Sequence, residues 1–489
     1  MDFLNKLFGA KKREDILPIY LFNSLTKEKE RFIEILPGNV KIYTCGPTVY
    51  NYVTIGNYRS YIFSDTLRRV FEYNSYSVKQ IINITDVGHL TSDADTGEDK
   101  MMVGLKREGL TINLKGMKAL SDRYTKKFKE ELKKLNAREA LEYPRASEHI
   151  NEQVAFIKTL EEKDYIYKLK DGIYFDTSLP HDYGQLGGTT KDESKQKARV
   201  KRVAGKKQPQ DFALWKFNEE IGWDSPWGKG IPGWHIECSA MSSKYLGRHF
   251  DIHTGGVDHI AIHHNNEIAQ SEAATGSKFV NYWLHNEFIT IDKQKISKST
   301  GNTIFIRNLE DKGYSPLALR YWFLTGHYRS SMNFTWEALD GAQTALTKLH
   351  KAFLDLGKVN GRIDENYRKR FSKFVNDDLN TPKAIALMWE LMDDESLIDK
   401  DKRVTLLDFN RVLGIGLYES YKQMKEIFNN EIKKIEVKEA PKNIQELINE
   451  REEARNKKDW KEADRLREEI YKEGYKVSDT ESGPEIEKS

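Results

Sequence analysis

The chain has 489 residues, 38% apolar, 31% charged and 11% aromatic, and its 78 basic and 75 acidic side chains leave a net charge of +3. At roughly 150 residues per domain this is a soluble globular chain of about three domains, not a polycation, though a local basic face stays open. Its two cysteines, Cys45 and Cys238, exclude a disulfide scaffold and leave one bridge, two buried thiols or a ligand pair in a reducing compartment.

The first forty residues read as an irregular or hairpin lead-in. Met1 to Lys12 holds only a short apolar patch broken by Asn5 and Lys6, with no secretory core. Nowhere does an apolar run reach the roughly 18 residues of a membrane span, so a cytoplasmic chain without membrane contact is expected. Val40 to Thr44 alternates as a strand and stops at Cys45-Gly-Pro-Thr. Phe63, Leu67, Val70 and Phe71 fall on one helical face, which Asn74-Ser75 ends. Ser77 to Thr85 reads as a second strand, with Ile81, Ile82 and Ile84 nearly continuous, as in buried parallel strands. Strand, helix, strand opens a doubly wound α/β sheet.

Residues 112–165 are charged and helical in pattern. Residues 166–219 hold short strand-like pieces, Gly187-Gly188 and a basic stretch, Lys191–Lys207, with eight basic and two acidic residues; they read as an insertion between two halves of the sheet. The α/β pattern returns at Gly233-Trp-His-Ile-Glu-Cys-Ser-Ala as a strand running into a helix. Phe250-Asp-Ile-His reads as a short strand entering a Gly-Gly turn, Asn265–Ala274 as a helix and Phe279–His285 as a strand. After residue 300 the pattern is helical to about 430. A charged linker, Glu431–Lys442, precedes a solvated helix pair in which Glu450–Lys476 carries nine acids and nine bases. The last ten residues read as frayed.

Seven of the twelve histidines lie between His235 and His285, and histidine gathers where imidazole serves metal ligation, proton transfer or polar contacts. His263 and Glu267 are four apart, so on a helix they face the same way. Cys238 follows His235 by three, and Cys45 ends the first strand. Zinc takes Cys, His and carboxylate ligands tetrahedrally, but the spacing is not that of a zinc finger. Two buried thiols and a polar helix, with hydrogen-bonded histidines, is the reading that most proteins of this composition would take.

Cys45-Gly-Pro-Thr-Val-Tyr-Asn-Tyr-Val-Thr-Ile-Gly-Asn57, Asn83-Ile-Thr-Asp86, Asp211-Phe-Ala-Leu-Trp-Lys216, Gly233–Met241, His263–Glu272, Lys295-Ile-Ser-Lys-Ser299, His327-Tyr-Arg-Ser and Glu462-Ala-Asp-Arg-Leu-Arg occur in that order. In these motifs the chain resembles the cysteinyl-tRNA synthetases, a family of class I aminoacyl-tRNA synthetases, over nearly its whole length. The resemblance implies a Rossmann-like, doubly wound parallel sheet with an inserted connective domain, followed by α-helical C-terminal domains. The expected parts are residues 1–111 and 220–299 for the two catalytic halves and 112–219 for the insertion. Residues 300–345 are the expected stem-contact region, 346–430 a tRNA-binding bundle, and 431–489 a small anticodon-binding region.

The resemblance also implies one zinc per chain on Cys45, Cys238, His263 and Glu267, with His264 a neighbour. Trp234, His235 and Thr85 would line the substrate pocket. ATP, accompanied by magnesium, would meet Gly56, Asn57, Gly255, Gly256 and Asp258 at the carboxyl ends of the strands; there is no GxxxxGK[ST] phosphate loop. Lys295 and Lys298 would meet the charge that develops as pyrophosphate leaves. L-cysteine, ATP and cysteine tRNA are the implied partners of a monomer. Thr54 departs from the family, which has histidine there: a hydroxyl donates a hydrogen bond but carries no charge, so Thr54 is expected to keep a phosphate contact, with His89 or His253 as compensating candidates. Asp479-Thr-Glu-Ser-Gly-Pro484 lacks the family's common tryptophan and leaves the anticodon contacts unassigned. Two rivals are a cysteine ligase acting on an amino sugar and a non-catalytic tRNA- or zinc-binding paralogue.

Overall fold

A computed structural model describes residues 17–90, 97–187, 205–291, 294–295, 303–357, 361–418, 434–435, 437–480 and 483–488. The chain divides into two compact units, Met1–Ile415 and Gly416–Ser489.

The first unit opens on a hairpin of β1 (Tyr20–Asn23) and β2 (Glu28–Arg31). Next comes β3 (Asn39–Thr44), whose alternate side chains are buried. The helix Ile55–Tyr73 begins at Thr54, whose hydroxyl accepts from the Asn57 N–H, one of the orphan donors of a first turn. It buries Phe63, Leu67, Val70 and Phe71 and ends at Asn74, with Ser75 at φ 65°. β4 (Ser77–Ile82) pairs with β3 in parallel.

The chain next forms helices Lys100–Glu108, Leu114–Lys134 and Ile150–Glu161. It then builds an antiparallel sheet of β5 (Ile166–Leu169), β6 (Gly172–Phe175), β7 (Phe212–Phe217) and β8 (Gly230–Pro232). Ile173, Phe175, Phe212, Leu214 and Trp215 bury one face against Ile157 and Leu160 of the last of those helices and Ile236. Most of the basic stretch, through Ala204, lies outside the described residues.

Helix Trp234–Leu246 leads to β9 (Phe250–Gly256), helix Asn265–Thr275 and β10 (Val280–Asn286). All four strands of the main sheet are parallel, in the order β10-β9-β3-β4. The chain winds one way from β3 and the other way from β9, so the switch point lies between them. Ligands of such sheets bind at that crevice, beyond the carboxyl ends of the strands.

One expectation is corrected here. Gly255 and Gly256 are not a turn: they extend β9 and pair with His285 and Asn286. A Cβ on Gly255 would stand 2.6 Å from the His259 and His264 rings, so glycine is needed there for close packing.

Helices Pro316–Thr325, Trp336–Asp355, Glu365–Asn376, Thr381–Asp393 and Asp399–Leu413 complete the unit. A short strand, Met332–Phe334, joins Ile289–Ile291 in parallel and was not anticipated from the sequence. The buried Asp65 carboxylate ties the catalytic helix to this helical part, taking Arg69 and Arg320, both at 2.7 Å, and the Arg138 N–H at 2.8 Å. Arg320 also donates to the Leu413 carbonyl at 2.7 Å.

The second unit holds helices Lys442–Asn456 and Trp460–Lys472 and an antiparallel hairpin, Tyr475–Thr480 with Gly483–Lys488. The tail is therefore not frayed, and this unit is not purely helical. Tyr475, Val477 and Ile486 pack on Ile444, Ile448 and Ile470, so three well-spaced apolar side chains suffice to pin the hairpin. Arg451 clamps Asp479 at 2.9 and 3.0 Å. Among the described residues no helix is long and apolar enough to cross a membrane.

Candidate active site

A cavity of about 290 Å³ opens at the switch point. Its lining includes Cys45, Cys238, His263, Trp234 and Thr85, together with Thr54, Asn57, Gly255, Gly256 and Asp258.

Cys45 follows β3, its N–H bonded to the Thr254 carbonyl at 3.2 Å. Gly46 donates to Asn83 Oδ1 at 2.8 Å, and a Cβ there would stand 1.5 Å from the Asn83 carbonyl oxygen. Only glycine lets the loop pass β4 that closely. Cys238 lies on helix Trp234–Leu246. His263 ends a π-helical turn, Ile260–His264, that runs into the helix carrying Glu267. Such wide turns recur at functional sites.

Ligand atoms of Cys45, Cys238, His263 and Glu267 all lie within 4.8 Å of one another, with every residue buried. His263 Nε2 is 2.9 Å from Glu267 Oε1. A second group, Cys45, His253, His264 and Glu267, overlaps the first: His264 Nε2 is 3.3 Å from Cys45 Sγ and His253 Nε2 is 2.9 Å from Glu267 Oε2. His264 Nδ1 meets His285 Nε2 at 2.7 Å. Two thiols, imidazoles and a carboxylate in one buried cluster suit a metal ion.

The thiols, imidazoles and carboxylate of the cluster perturb one another strongly. Burial opposes ionisation of the Cys45 thiol, but Cys238 and the imidazoles of His264, His253 and His263 pull it well below its ordinary value. Burial and the neighbouring Cys45 push Cys238 up. Burial also opposes charge on His263, yet Glu267 and Cys45 raise it to about 10.

Trp234 lies flat between His89 (centroids 4.0 Å apart) and His263 (4.2 Å). His235 does not line the cavity: it is buried behind His263, Nδ1 to Nδ1 2.9 Å. Thr85 donates to Glu237 Oε1. Glu237 lines the cavity as well, and burial pushes its carboxyl well above the ordinary range.

The Thr54 hydroxyl donates to Asn57 Oδ1 at 2.8 Å and caps the helix. Gly56 sits in that helix's first turn. Asp258 lies in a tight turn after β9, and a Cβ on Gly256 would stand 2.3 Å from its Oδ1. The Lys295 backbone pairs with Thr290; its side chain and all of Lys298 lie outside the described residues. Sequence reasoning missed the cavity residues Thr48, Lys100, Glu237 and His259. The histidine clustering signalled His259; a single lysine far from the motifs carried no signal.

The description "tRNA synthetases class I (C) catalytic domain" matches residues 31–344. The fold agrees: methionyl-tRNA synthetase from Mycobacterium tuberculosis in complex with methionyl-adenylate superposes with a TM-score of 0.54 at 15% identity. It covers 83% of this chain and 94% of that one. The fold is thus that of a class I tRNA synthetase catalytic domain.

A second description, "Cysteinyl-tRNA ligase anticodon binding domain", matches residues 438–484. Cysteine–tRNA ligase 1 of Burkholderia lata is 45% identical, over 96% of this chain and 97% of its own. The cysteine–tRNA ligase of Treponema denticola is 40% identical, over 95% and 98%. The chain belongs to the cysteine–tRNA ligase family.

Proposed function

We propose that the protein activates L-cysteine with ATP to cysteinyl-adenylate and transfers the cysteinyl group to the 3′ end of cysteine tRNA. The observation that carries this reading is the convergence of Cys45, Cys238, His263 and Glu267 in one buried cluster beside a cavity that Thr54, Asn57, Gly255, Gly256 and Asp258 also line. The cluster then recognises a thiol and the glycine-lined wall a nucleotide.

The four residues would hold one zinc, and the set with two thiols is favoured over the His253/His264 set because thiolates suit zinc best. A thiol ionises readily beside zinc and becomes a soft ligand, which a serine hydroxyl does not. Trp234 packs one wall of the amino-acid pocket, and the Thr85 hydroxyl adds a polar contact. His235, behind His263, orients that imidazole. Asp258 accepts from the ribose hydroxyls, while Gly255 and Gly256 admit the nucleotide to the backbone. A cysteine carboxylate oxygen attacks the α-phosphorus, and pyrophosphate leaves with the electron pair of the broken P–O bond. Lys298 and Lys295 meet its charge, and magnesium arrives with ATP.

Residues 300–345, 346–430 and 431–489 are assigned to tRNA stem, bundle and anticodon contacts, on a monomeric cytoplasmic enzyme. The matched anticodon-binding region supports this reading over the amino-sugar ligase. Cysteine-dependent ATP–pyrophosphate exchange followed by tRNA charging tests it. No exchange points to the non-catalytic rival; exchange without charging points to the sugar ligase.

A further inference from the structure

Lys100 is the one lysine or arginine among the described residues that line the active-site cavity. It begins helix Lys100–Glu108, after β4. Its position is held by what it touches. Lys100 Nζ is in hydrogen-bond contact with His89 Nε2, and His89 Nδ1 is in contact with the Thr48 hydroxyl. An ammonium has donors only. His89 Nε2 must therefore accept, which places the imidazole proton on Nδ1, donating to Thr48. His89 itself is stacked on Trp234, and Lys100 Nζ lies 6.0 Å from the centre of the Trp234 ring. Because Trp234 also stacks on His263, this cation is joined through His89 and Trp234 to the metal-cluster side of the cavity.

The proposed reaction brings two anions together there: the carboxylate of the amino acid and the triphosphate it attacks. Glu237 and Asp258 line the same cavity and add no positive charge. A carboxylate held here needs a cation, and hydrogen bonds to charged groups are worth about 1.5–3 kcal/mol.

We propose that Lys100 binds the α-carboxylate of the amino-acid substrate, with His89 as the positioning residue that aims its ammonium. The inference rests on the reading of the site as one for cysteine activation. Lys100 contacts the carboxylate oxygen that does not attack and keeps it when that oxygen becomes the carbonyl of the adenylate. The other oxygen forms the new P–O bond.

The test uses the zinc-loaded full-length protein and two ligands. Cysteine carries thiol, amine and carboxylate; cysteamine lacks only the carboxylate. Lys100→Met should raise the KM for cysteine in ATP–pyrophosphate exchange about 10- to 100-fold, leave the KM for ATP within about twofold, and leave inhibition by cysteamine unchanged. Lys100→Arg should recover most of the cysteine affinity. An unchanged KM for cysteine, or an equal loss of cysteamine binding, overturns the proposal. Lys100→Gln, with a thermal melt alongside, repeats the comparison if the Met variant folds poorly. Exchange by the unaltered protein separates the two claims: if it is absent, the cysteine-activation reading fails; if present and indifferent to Lys100, only the carboxylate contact fails.

Discussion

His263 Nε2 and Glu267 Oε1 lie 2.9 Å apart across the junction between a π-helical turn and an α-helix. That junction points both side chains at Cys45 and Cys238 from the far side of the cavity. The purified protein should therefore carry about one zinc per chain, and Cys238→Ala should lower zinc content and abolish measurable cysteine activation. Metal analysis of the variant is decisive: undiminished zinc would remove Cys238 from the site.

Gly46 predicts a backbone effect on the same centre. A methyl group at this position would collide with the Asn83 carbonyl at 1.5 Å, so the loop must leave β4 and carry Cys45 with it. Gly46→Ala should lose zinc and exchange activity together while the C-terminal hairpin, in the second unit, keeps its melting behaviour. A fully zinc-loaded, active Gly46→Ala protein would contradict this account.

Thr54 has two duties, because its hydroxyl caps the catalytic helix and faces the cavity. Thr54→Ala should cost about 1 kcal/mol of stability, as lost caps do, and lower exchange about tenfold through the phosphate contact, a general contribution of charge-assisted hydrogen bonds. Thr54→Ser should keep both. Exchange at the unaltered rate in the alanine variant removes the phosphate contact and leaves only the cap.

Asp65 sets an acid limit on the first unit. Burial opposes its ionisation, but Arg69, Arg320 and the Arg138 N–H outweigh it and hold the carboxyl at about 2, against an ordinary 3.8. A depressed folded-state value stabilises above the unfolded one and is lost as pH falls through the folded one. Acid unfolding should thus draw on Asp65 between about pH 4 and pH 2. Asp65→Asn should cost about 3 kcal/mol at neutral pH by stranding two buried guanidiniums and flatten that part of the acid profile. Denaturant titrations at pH 7 and pH 3 measure both.

Local periodicity made the β3–helix–β4 unit, helix Asn265–Thr275 and strand β10 legible, because side chains two or four residues apart report the face they share. The i,i+4 spacing of His263 and Glu267 was equally legible, and ordered motifs carried the family. Position 54 was visible as a departure, but not the helix cap that gives its hydroxyl a structural duty.

Other features depend on neighbours distant in sequence. Gly255 and Gly256 look like a turn until β10 pairs with them. The tail looks frayed until Tyr475, Val477 and Ile486 find the helix pair. His235 looks like a pocket residue until His263 stands in front of it. Lys100 carries no pattern at all. The sequence by itself determined the elements, the family and the donor types of the site. Only the tertiary structure decided that Cys45 and Cys238, 193 positions apart, share one cluster and that Lys100 shares their cavity, because strand order at the switch point, not spacing along the chain, sets which side chains meet.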